Sequence, residues 1–239
     1  MRVQVIAHRG ASAQAPENTA AAFDLALEMG ADGLETDVRA TADGVLVLCH
    51  DAAVERVSDG HGQVAALSYA ELERLDFGAW FAPRFAGQRL LTADEFLQRY
   101  GGRTTLVLEL KAPRVVAALL DRVHRHGLLE GVVFTSFSLE CLETLLRLEP
   151  RARAGWLTHR FDPEVIRLSQ ERGLAQVCPP GEATCADRVA EAHAAGLAVR
   201  AWGIRDDEIQ ERALQAGVDG MTVNWPDRLI ARLQALGWR

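Results

Sequence analysis

The strongest constraint in this 239-residue sequence is the regular alternation of short apolar runs with amphipathic segments. Eight apolar runs contain few alternating polar residues, which is typical of strands that are buried on both faces in a parallel sheet covered by helices. The predicted strands are residues 3–7, 34–38, 105–110, 132–135, 154–157, 175–178, 198–201 and 220–223. The predicted helices are residues 19–29, 93–100, 114–126, 139–148, 163–172, 185–195, 206–216 and 226–236.

This α/β pattern predicts a closed (β/α)8 barrel, or TIM barrel, because that fold uses eight strand–helix units in roughly 250 residues. A doubly wound open sheet is the alternative, and it would place a glycine-rich phosphate loop after the first strand. Residues 8–12 read His-Arg-Gly-Ala-Ser, which is not such a loop. The helix boundaries support the assignment, since Thr92 and Glu95 fit a capping box at the start of the second predicted helix.

Residues 51–91 contain no clean strand–helix unit. We expect a small insertion there, after the second strand and on the loop side of the barrel, within a single domain that spans residues 1–239. In that position the insertion could roof an active site. Its Trp80 and Phe81 would form either a hydrophobic lid or part of a small apolar core of the insertion's own.

The composition excludes several classes of protein. The net charge of −7 argues against a general nucleic-acid-binding protein, because phosphate neutralisation dominates that affinity. No apolar run approaches the roughly 18 residues of a membrane-spanning helix, and the apolar stretch at the N-terminus is too short for a signal peptide. The four cysteines form no C-x-x-C pair and no disulfide framework. These features predict a cytoplasmic protein and leave its oligomeric state open.

Acidic residues lie where two predicted strands end. Glu35 and Asp37 share one face of the second strand, and Glu109 and Lys111 share one face of the third. The active site of a barrel forms at the carboxyl ends of its strands, so these side chains should meet there. Neighbouring carboxylates repel one another, and a hard divalent cation removes that penalty. Glu35, Asp37 and Glu109 are therefore a candidate site for one divalent metal, Mg²⁺ or Ca²⁺; the alternative is a set of salt bridges in which Arg9 and Lys111 are the partners.

Two histidines also end apolar runs, His8 in the first strand and His50 after residues 45–49. Histidine has the ordinary pKa nearest to neutrality, so this pair can serve as general acid and general base. Arg9 and Lys111 supply cations that suit phosphate oxygens. Two histidines, a hard metal and two cations together indicate phosphoryl chemistry.

These residues occur within an ordered set of motifs that resembles the glycerophosphodiester phosphodiesterase family. The resemblance spans the whole chain and is densest over residues 8–51. Further along, Glu109-Leu110-Lys111, residues 217–220 and Pro226-Asp227 resemble the later motifs of the family. The motifs in the dense region are His8-Arg9-Gly10, Pro16-Glu17-Asn18-Thr19, residues 30–38, residues 41–44 and His50-Asp51.

The resemblance implies a TIM barrel with an insertion after the second strand and a divalent metal held by Glu35, Asp37 and Glu109. It implies acid/base roles for His8 and His50, without assigning which is which, and places Arg9 and Lys111 near the phosphate. The implied substrates are small-molecule phosphodiesters such as glycerophosphocholine and glycerophosphoethanolamine, which yield glycerol 3-phosphate and an alcohol. The implied route passes through a cyclic phosphate formed by the neighbouring glycerol hydroxyl or, alternatively, through direct attack by water.

The chain departs from the family pattern in three places. Residues 56–58 read Arg-Val-Ser where the family often has Arg-Thr-Thr, and Leu91 stands where a proline is common. Residues 223–224 read Val-Asn where the family often has Thr-Asp.

Two other residues have two interpretations each. Glu17 either orients Arg9 or favours the start of a helix through its charge. Trp202 either lines the substrate pocket or is a core or rim aromatic.

Two rival functions follow from the same residues. One is a phospholipase-type phosphodiesterase that acts on intact lipid, of the phosphatidylinositol or sphingomyelinase D type; an exposed apolar rim on the insertion would favour it. The other is a barrel that binds a phosphoester without hydrolysing it, and the retained His8 and His50 argue against that reading.

Overall fold

Each of the eight predicted apolar runs forms a strand in the computed structural model, which describes residues 3–239. Eight strands pair in parallel in the order β1-β2-β4-β5-β6-β7-β8-β9, and β9 pairs with β1 to close the ring. The predicted TIM barrel is therefore confirmed. The strands are β1 Gln4–His8, β2 Gly33–Ala40, β3 Leu46–Leu48, β4 Thr105–Leu110, β5 Val132–Ser136, β6 Arg153–Leu157, β7 Gln176–Cys178, β8 Ala198–Ala201 and β9 Gly220–Val223.

The helices surround the ring and follow the strands as the amphipathic pattern predicts. The side chain of Thr19 caps the first helix by accepting from the Ala22 amide. The predicted capping box is present, with Thr92 and Glu95 satisfying each other's backbone amides. The helices are α1 Ala20–Glu28, α2 Tyr69–Leu72, α3 Ala93–Tyr100, α4 Pro113–Arg125, α5 Leu139–Leu148, α6 Pro163–Glu171, α7 Ala186–Ala194, α8 Asp207–Ala216 and α9 Pro226–Ala235. Four short 3-10 helices span Val64–Ala66, Pro83–Phe85, Leu129–Gly131 and Gly181–Ala183.

One strand lies outside the ring. All three residues of β3 are buried, and this strand pairs antiparallel with β2, with Val38 opposite Leu48. The sequence pattern showed an apolar run here without assigning it to the sheet. The antiparallel pairing turns the chain back along β2 and delivers His50 to the same end of the barrel as Asp37.

The segment that follows β3 holds an apolar cluster of its own beside the barrel. Val54, Val57, Leu72 and Phe77 pack there against the buried Cys49. Trp80 lies outside this cluster and is 41% exposed. The insertion is therefore built around this cluster, which includes Phe77, rather than around Trp80.

The interior of the barrel changes from apolar to polar along the strands. Ile6, Val107 and Val133 form an apolar layer inside the ring. Two residues further along the same strands lie His8, Glu109 and Thr135. Because residues i and i+2 of a strand face the same side, these polar side chains lie one layer above the apolar plug. Within residues 3–239, no helix is both long enough and apolar enough to cross a membrane.

Candidate active site

The three predicted metal-binding carboxylates meet at the carboxyl ends of β2 and β4. Glu35, Asp37 and Glu109 each offer an oxygen within 4.8 Å of the others, and all three residues are buried. The strand register explains the meeting, because Asp37 of β2 lies opposite Glu109 of β4. The β1–β2 register also places His8 opposite Glu35.

Two cations contact this acidic cluster. The Lys111 Nζ atom lies 2.9 Å from Oδ1 of Asp37 and 2.5 Å from Oε1 of Glu109. The Arg9 Nε atom lies 3.1 Å from Oδ2 of Asp37. The sequence predicts, as alternatives, a carboxylate cluster or a set of ion pairs with Arg9 and Lys111. The structure contains both. Three carboxylates face two direct cationic partners, so ion pairing alone does not neutralise the cluster.

The donor set fits a hard divalent cation. Carboxylate oxygens are the ligands that Mg²⁺ and Ca²⁺ prefer. The Oδ1 atom of Asp37 is buried and accepts no hydrogen bond, because its contact with Lys111 lacks hydrogen-bond geometry. A divalent cation would add a ligand contact to this buried oxygen and offset the surplus negative charge of the cluster.

Burial controls the protonation of the cluster. Burial, together with the charges of Asp37 and Glu109, raises the pKa of Glu35 to about 8. Burial and the charge of Asp37 raise the pKa of Glu109 to about 7. Burial also opposes ionisation of Asp37, but Lys111 and Arg9 outweigh it and hold the pKa of Asp37 well below its usual range. A cation that binds here must therefore displace protons from the two glutamates near neutral pH.

Two residues beside Asp37 have strained backbones. Arg9 and Asn18 both have φ of 57°, a left-handed conformation that costs roughly 1–3 kcal/mol outside glycine. The Asn18 amide N–H donates to the Arg9 carbonyl at 3.0 Å, and its side-chain Nδ2 donates to Oδ2 of Asp37 at 3.1 Å. This strain is concentrated where the chain holds Asp37 in place, as is common at functional sites.

His8 faces the cavity with one nitrogen and Asn224 with the other. Its Nδ1 lies 2.6 Å from Oδ1 of Asn224, and its Nε2 lies 3.9 Å from Oε2 of Glu35. An amide oxygen only accepts, so Nδ1 carries the proton and Nε2 keeps its lone pair. Burial, followed by the charge of Arg9, lowers the pKa of His8 to about 4. The departure from the family pattern at Asn224 thus falls on a direct partner of His8.

His50 has a carboxylate partner instead. Its Nδ1 lies 2.7 Å from Oδ1 of Asp51, and the Arg39 guanidinium donates to the His50 carbonyl at 2.6 and 3.0 Å. Burial lowers the pKa of His50, against the opposing effects of Asp37 and Asp51. Burial would raise the pKa of Asp51, but hydrogen bonds from Arg56 and His50 lower it to about 2.

The insertion reaches the site through Arg56. The Arg56 guanidinium contacts Asp51 at 2.5 Å and Glu17 at 2.7 Å. Glu17 in turn accepts from Arg9 at 2.9 Å. Of the two interpretations of Glu17, the contact with Arg9 is the one that the structure shows. None of residues 51–91 lines the central cavity. The contacts of the insertion with the site therefore run through Arg56.

The cavity above the carboxylates has a volume of about 150 Å³. Trp202 lies on its wall, as one of its two interpretations holds. The Phe137 ring stacks on His159 at 4.9 Å and meets Trp202 edge-on at 5.3 Å, which gives the cavity an aromatic side. The lining residues are His8, Arg9, Glu35, His50, Glu109, Thr135, Phe137, Leu157, Arg200, Trp202 and Thr222.

Six lining or contacting residues were not assigned a role from the sequence: Thr135, Phe137, Leu157, Arg200, Thr222 and Asn224. The two-residue periodicity of side chains along a strand could have identified three of them. Arg200 lies two residues before Trp202, and Phe137 lies two residues after Thr135. Residues at this spacing face the same side of a strand, so the inward-facing positions of β5 and β8 follow once one inward residue on each is known.

The match to known proteins agrees with this geometry. A model of the Glycerophosphoryl diester phosphodiesterase family matches residues 8–228. A glycerophosphodiester phosphodiesterase of Caldanaerobacter subterraneus is 33% identical over 236 residues, covering 96% of this chain and 97% of that protein.

Solved structures show the same similarity. The crystal structure of a glycerophosphodiester phosphodiesterase from Agrobacterium tumefaciens has a TM-score of 0.85 and 33% identity, covering 96% of this chain and 99% of that chain. An Oleispira antarctica phosphodiesterase in complex with the product sn-glycerol-3-phosphate has a TM-score of 0.88 and 28% identity, covering 97% and 96% of the two chains. These matches confirm the resemblance read from the motifs and the enzyme class that it implies: the chain belongs to the glycerophosphoryl diester phosphodiesterase family.

Proposed function

We propose that this protein hydrolyses glycerophosphodiesters, such as glycerophosphocholine or glycerophosphoethanolamine, to sn-glycerol 3-phosphate and an alcohol. The proposal rests on one observation: a cluster of three buried carboxylates, which Arg9 and Lys111 contact, borders a cavity that both histidines line. Membership of the family supports the same reaction.

Glu35, Asp37 and Glu109 would hold one divalent cation, Mg²⁺ or Ca²⁺. When bound there, such a cation polarises the phosphoryl oxygen and offsets the charge that develops during displacement. Arg9 and Lys111 both contact Asp37, and Arg9 lines the cavity, so these two cations would orient the phosphodiester and attract its negative charge.

The partners of the two histidines support different proposed roles for them. His8 is the general base, because the Asn224 carbonyl oxygen keeps its proton on Nδ1 and leaves Nε2 free to accept. His50 is the general acid, because the Asp51 carboxylate stabilises the imidazolium that must donate a proton to the departing alcohol. The proton that His8 removes belongs either to the neighbouring glyceryl hydroxyl or to water.

A direct assay tests the proposal. The purified protein is incubated with glycerophosphocholine in the presence of Mg²⁺, Ca²⁺ or a chelator, and released glycerol 3-phosphate is measured. We expect release that depends on added metal and that disappears in a His8→Ala, His50→Ala double variant. No release with any divalent cation would refute the proposal and would favour a barrel that only binds phosphoesters.

Intact phospholipid is the second candidate substrate, and the insertion bears on it. Trp80 is the one large apolar side chain of residues 51–91 that is clearly exposed in the described structure, and a single side chain is far smaller than the patches that mark membrane contacts. We therefore favour the deacylated substrate. Comparing turnover of phosphatidylcholine vesicles with that of glycerophosphocholine separates the two, since faster turnover of the vesicles would favour the phospholipase reading.

The proposal also includes two predictions made from the sequence, a single domain that spans residues 1–239 and a cytoplasmic location. A single unfolding transition that includes residues 51–91 would support one domain across the chain. Fractionation of the source cells would test the cytoplasmic location.

A further inference from the structure

Arg200 is a buried guanidinium with no carboxylate partner. It lies on β8, is 3% exposed, and donates to the Thr222 hydroxyl and, at 3.5 Å, to the Cys178 sulfur. Its Nε atom has no hydrogen-bond partner. Within residues 3–239, no ion pair to Arg200 is found, whereas Arg9, which lines the same cavity, is paired with Asp37. Burying a guanidinium among neutral partners is costly, so a ligand that uses its free donor would offset part of that cost.

The barrel leaves space for this side chain. A methyl group added at Gly220 would lie 3.6 Å from Cγ of Arg200, and one added at Gly155 would lie 3.3 Å from Sγ of Cys178. The Arg200 side chain and its partner Cys178 therefore lie beside two glycine positions inside the ring. Arg200 also lines the central cavity, one inward position before Trp202.

Thr135, which lines the same cavity, has a second unsatisfied polar atom. It is 1% exposed, and its Oγ1 has no hydrogen-bond partner. The β4–β5 register places it beside Glu109, three strands away from Arg200 around the ring. Two buried residues of the cavity lining therefore each have one polar atom without a hydrogen-bond partner, the Nε of Arg200 on one wall and the Oγ1 of Thr135 on another.

We propose that Arg200 and Thr135 bind the hydroxyls of the glyceryl arm and so determine specificity for a glycerol-bearing diester. This assignment rests on the proposed function. Vicinal hydroxyls can accept from the Arg200 Nε and can both donate to and accept from Thr135. Leu157 and Phe137 line the cavity between these two groups and provide apolar contact for the glyceryl carbons.

Charge sets the orientation of the substrate. A choline or ethanolamine group carries the same positive charge as Arg200, so repulsion disfavours that arm at the Arg200 end of the cavity. The cationic arm instead points outward, past Trp202, whose far side borders a second, larger cavity of about 400 Å³. The glyceryl arm is thereby selected for the buried end.

Equilibrium binding of two products tests this assignment without depending on the route of catalysis. Titration calorimetry in saturating Mg²⁺ compares sn-glycerol 3-phosphate with propyl phosphate, which lacks both hydroxyls. We expect the wild-type protein to bind glycerol 3-phosphate more tightly, since a site built to bond hydroxyls rejects analogues without them.

Two conservative variants identify the residues responsible. Arg200→Lys keeps the positive charge but loses Nε, and Thr135→Val keeps the volume but loses the hydroxyl. Each should weaken binding of glycerol 3-phosphate about 10-fold, within the usual range for one lost hydrogen bond, while changing propyl phosphate binding less than about 3-fold. Unfolding temperatures within a few degrees of the wild type, roughly the shift that 1 kcal/mol produces, would show that both variants are folded.

The outcomes separate this inference from the proposed function. A wild-type protein that binds both ligands equally, or variants that lose both equally, would overturn the role of Arg200 and Thr135 while leaving hydrolysis intact. A wild-type protein that neither binds glycerol 3-phosphate nor releases it from glycerophosphocholine would instead refute the proposed function. If Arg200→Lys does not fold, the binding of glycerol 3-phosphate and propyl phosphate to Thr135→Val tests the inference in the same way.

Discussion

The Nδ1 atom of His8 lies 2.6 Å from the Oδ1 atom of Asn224, so a neutral amide supports this histidine. The other histidine of the cavity, His50, is supported by the carboxylate of Asp51 at 2.7 Å. The two imidazoles therefore differ in the charge of their partners although both line the same cavity. This difference makes the protonation behaviour of the two residues separately testable.

Replacing Asn224 by aspartate should raise the pKa of His8. The new carboxylate favours the imidazolium by about 1–3 pKa units, from the value near 4 that burial sets in the native protein. His8 acts as a base only when neutral, so activity is lost as pH falls through its pKa. The acid limb of the profile of kcat/KM against pH should therefore move upward in Asn224→Asp. Asn224→Ala serves as the control, with lower turnover and no upward movement; an unmoved limb in Asn224→Asp would exclude His8 as the base.

The leaving group distinguishes the acid from the base. A nitrophenyl ester of glycerol phosphate expels a weakly basic phenolate that needs no protonation, whereas choline needs a proton. His50→Ala should lower turnover of glycerophosphocholine about 10²–10⁴-fold but turnover of the nitrophenyl ester far less. His8→Ala should impair both substrates alike. If His8→Ala spared the nitrophenyl ester and His50→Ala impaired both substrates, His8 would be the acid and His50 the base.

Loss of one carboxylate should remove the metal. Glu35→Gln and Glu109→Gln keep the side-chain shape but lose the charge that a hard cation needs, so both should abolish metal-dependent activity and bind Mg²⁺ at least 10-fold more weakly by calorimetry. Glu73→Gln, on an exposed carboxylate of the insertion, is the matched control and should behave as wild type. His50→Ala should leave metal affinity nearly unchanged. Full activity of Glu109→Gln in metal-free buffer would contradict the metal site.

Metal affinity should rise with pH. Burial raises the pKa of Glu35 to about 8 and that of Glu109 to about 7, so both hold protons in part at pH 6. A carboxyl must lose its proton to bind the cation, and binding therefore strengthens as pH increases from 6 to about 8. Calorimetry in buffers with different ionisation enthalpies should detect proton release at pH 7. Affinity that is flat across this range would show that the carboxyls are already ionised.

The insertion should act on catalysis through Arg56. Arg56 joins Asp51 to Glu17, which contacts Arg9, so Arg56→Gln should loosen His50 and Arg9 together and lower kcat about 10-fold. Metal affinity should stay close to that of the wild type, because Arg56 contacts none of the three carboxylates. Arg89→Gln is a matched control in the same insertion, since Arg89 is 68% exposed and lies 3.8 Å from Glu73. Equal effects of the two variants would show that Arg56 has no special role.

Much of the fold could be predicted because its causes are local. Apolar runs of strand length that alternate with amphipathic helices leave few architectures in which every strand is buried on both faces. The meeting of Glu35, Asp37 and Glu109 also follows from local rules, since strand parity and the common direction of parallel strands bring these residues to one end of the barrel. These local rules did not predict the antiparallel pairing of β3, because that pairing depends on a turn that sends the chain back along β2.

The sequence by itself thus determined the barrel, the acidic cluster and the two histidines, since strand periodicity and residue chemistry are written along the chain. Only the tertiary structure decided which groups support them. Asn224 meets His8 across 216 positions of sequence, and Arg200 and Thr135 share a cavity only because the ring closes. Such contacts depend on closure and on the space left by neighbouring side chains, and neither is encoded in the spacing of any one segment.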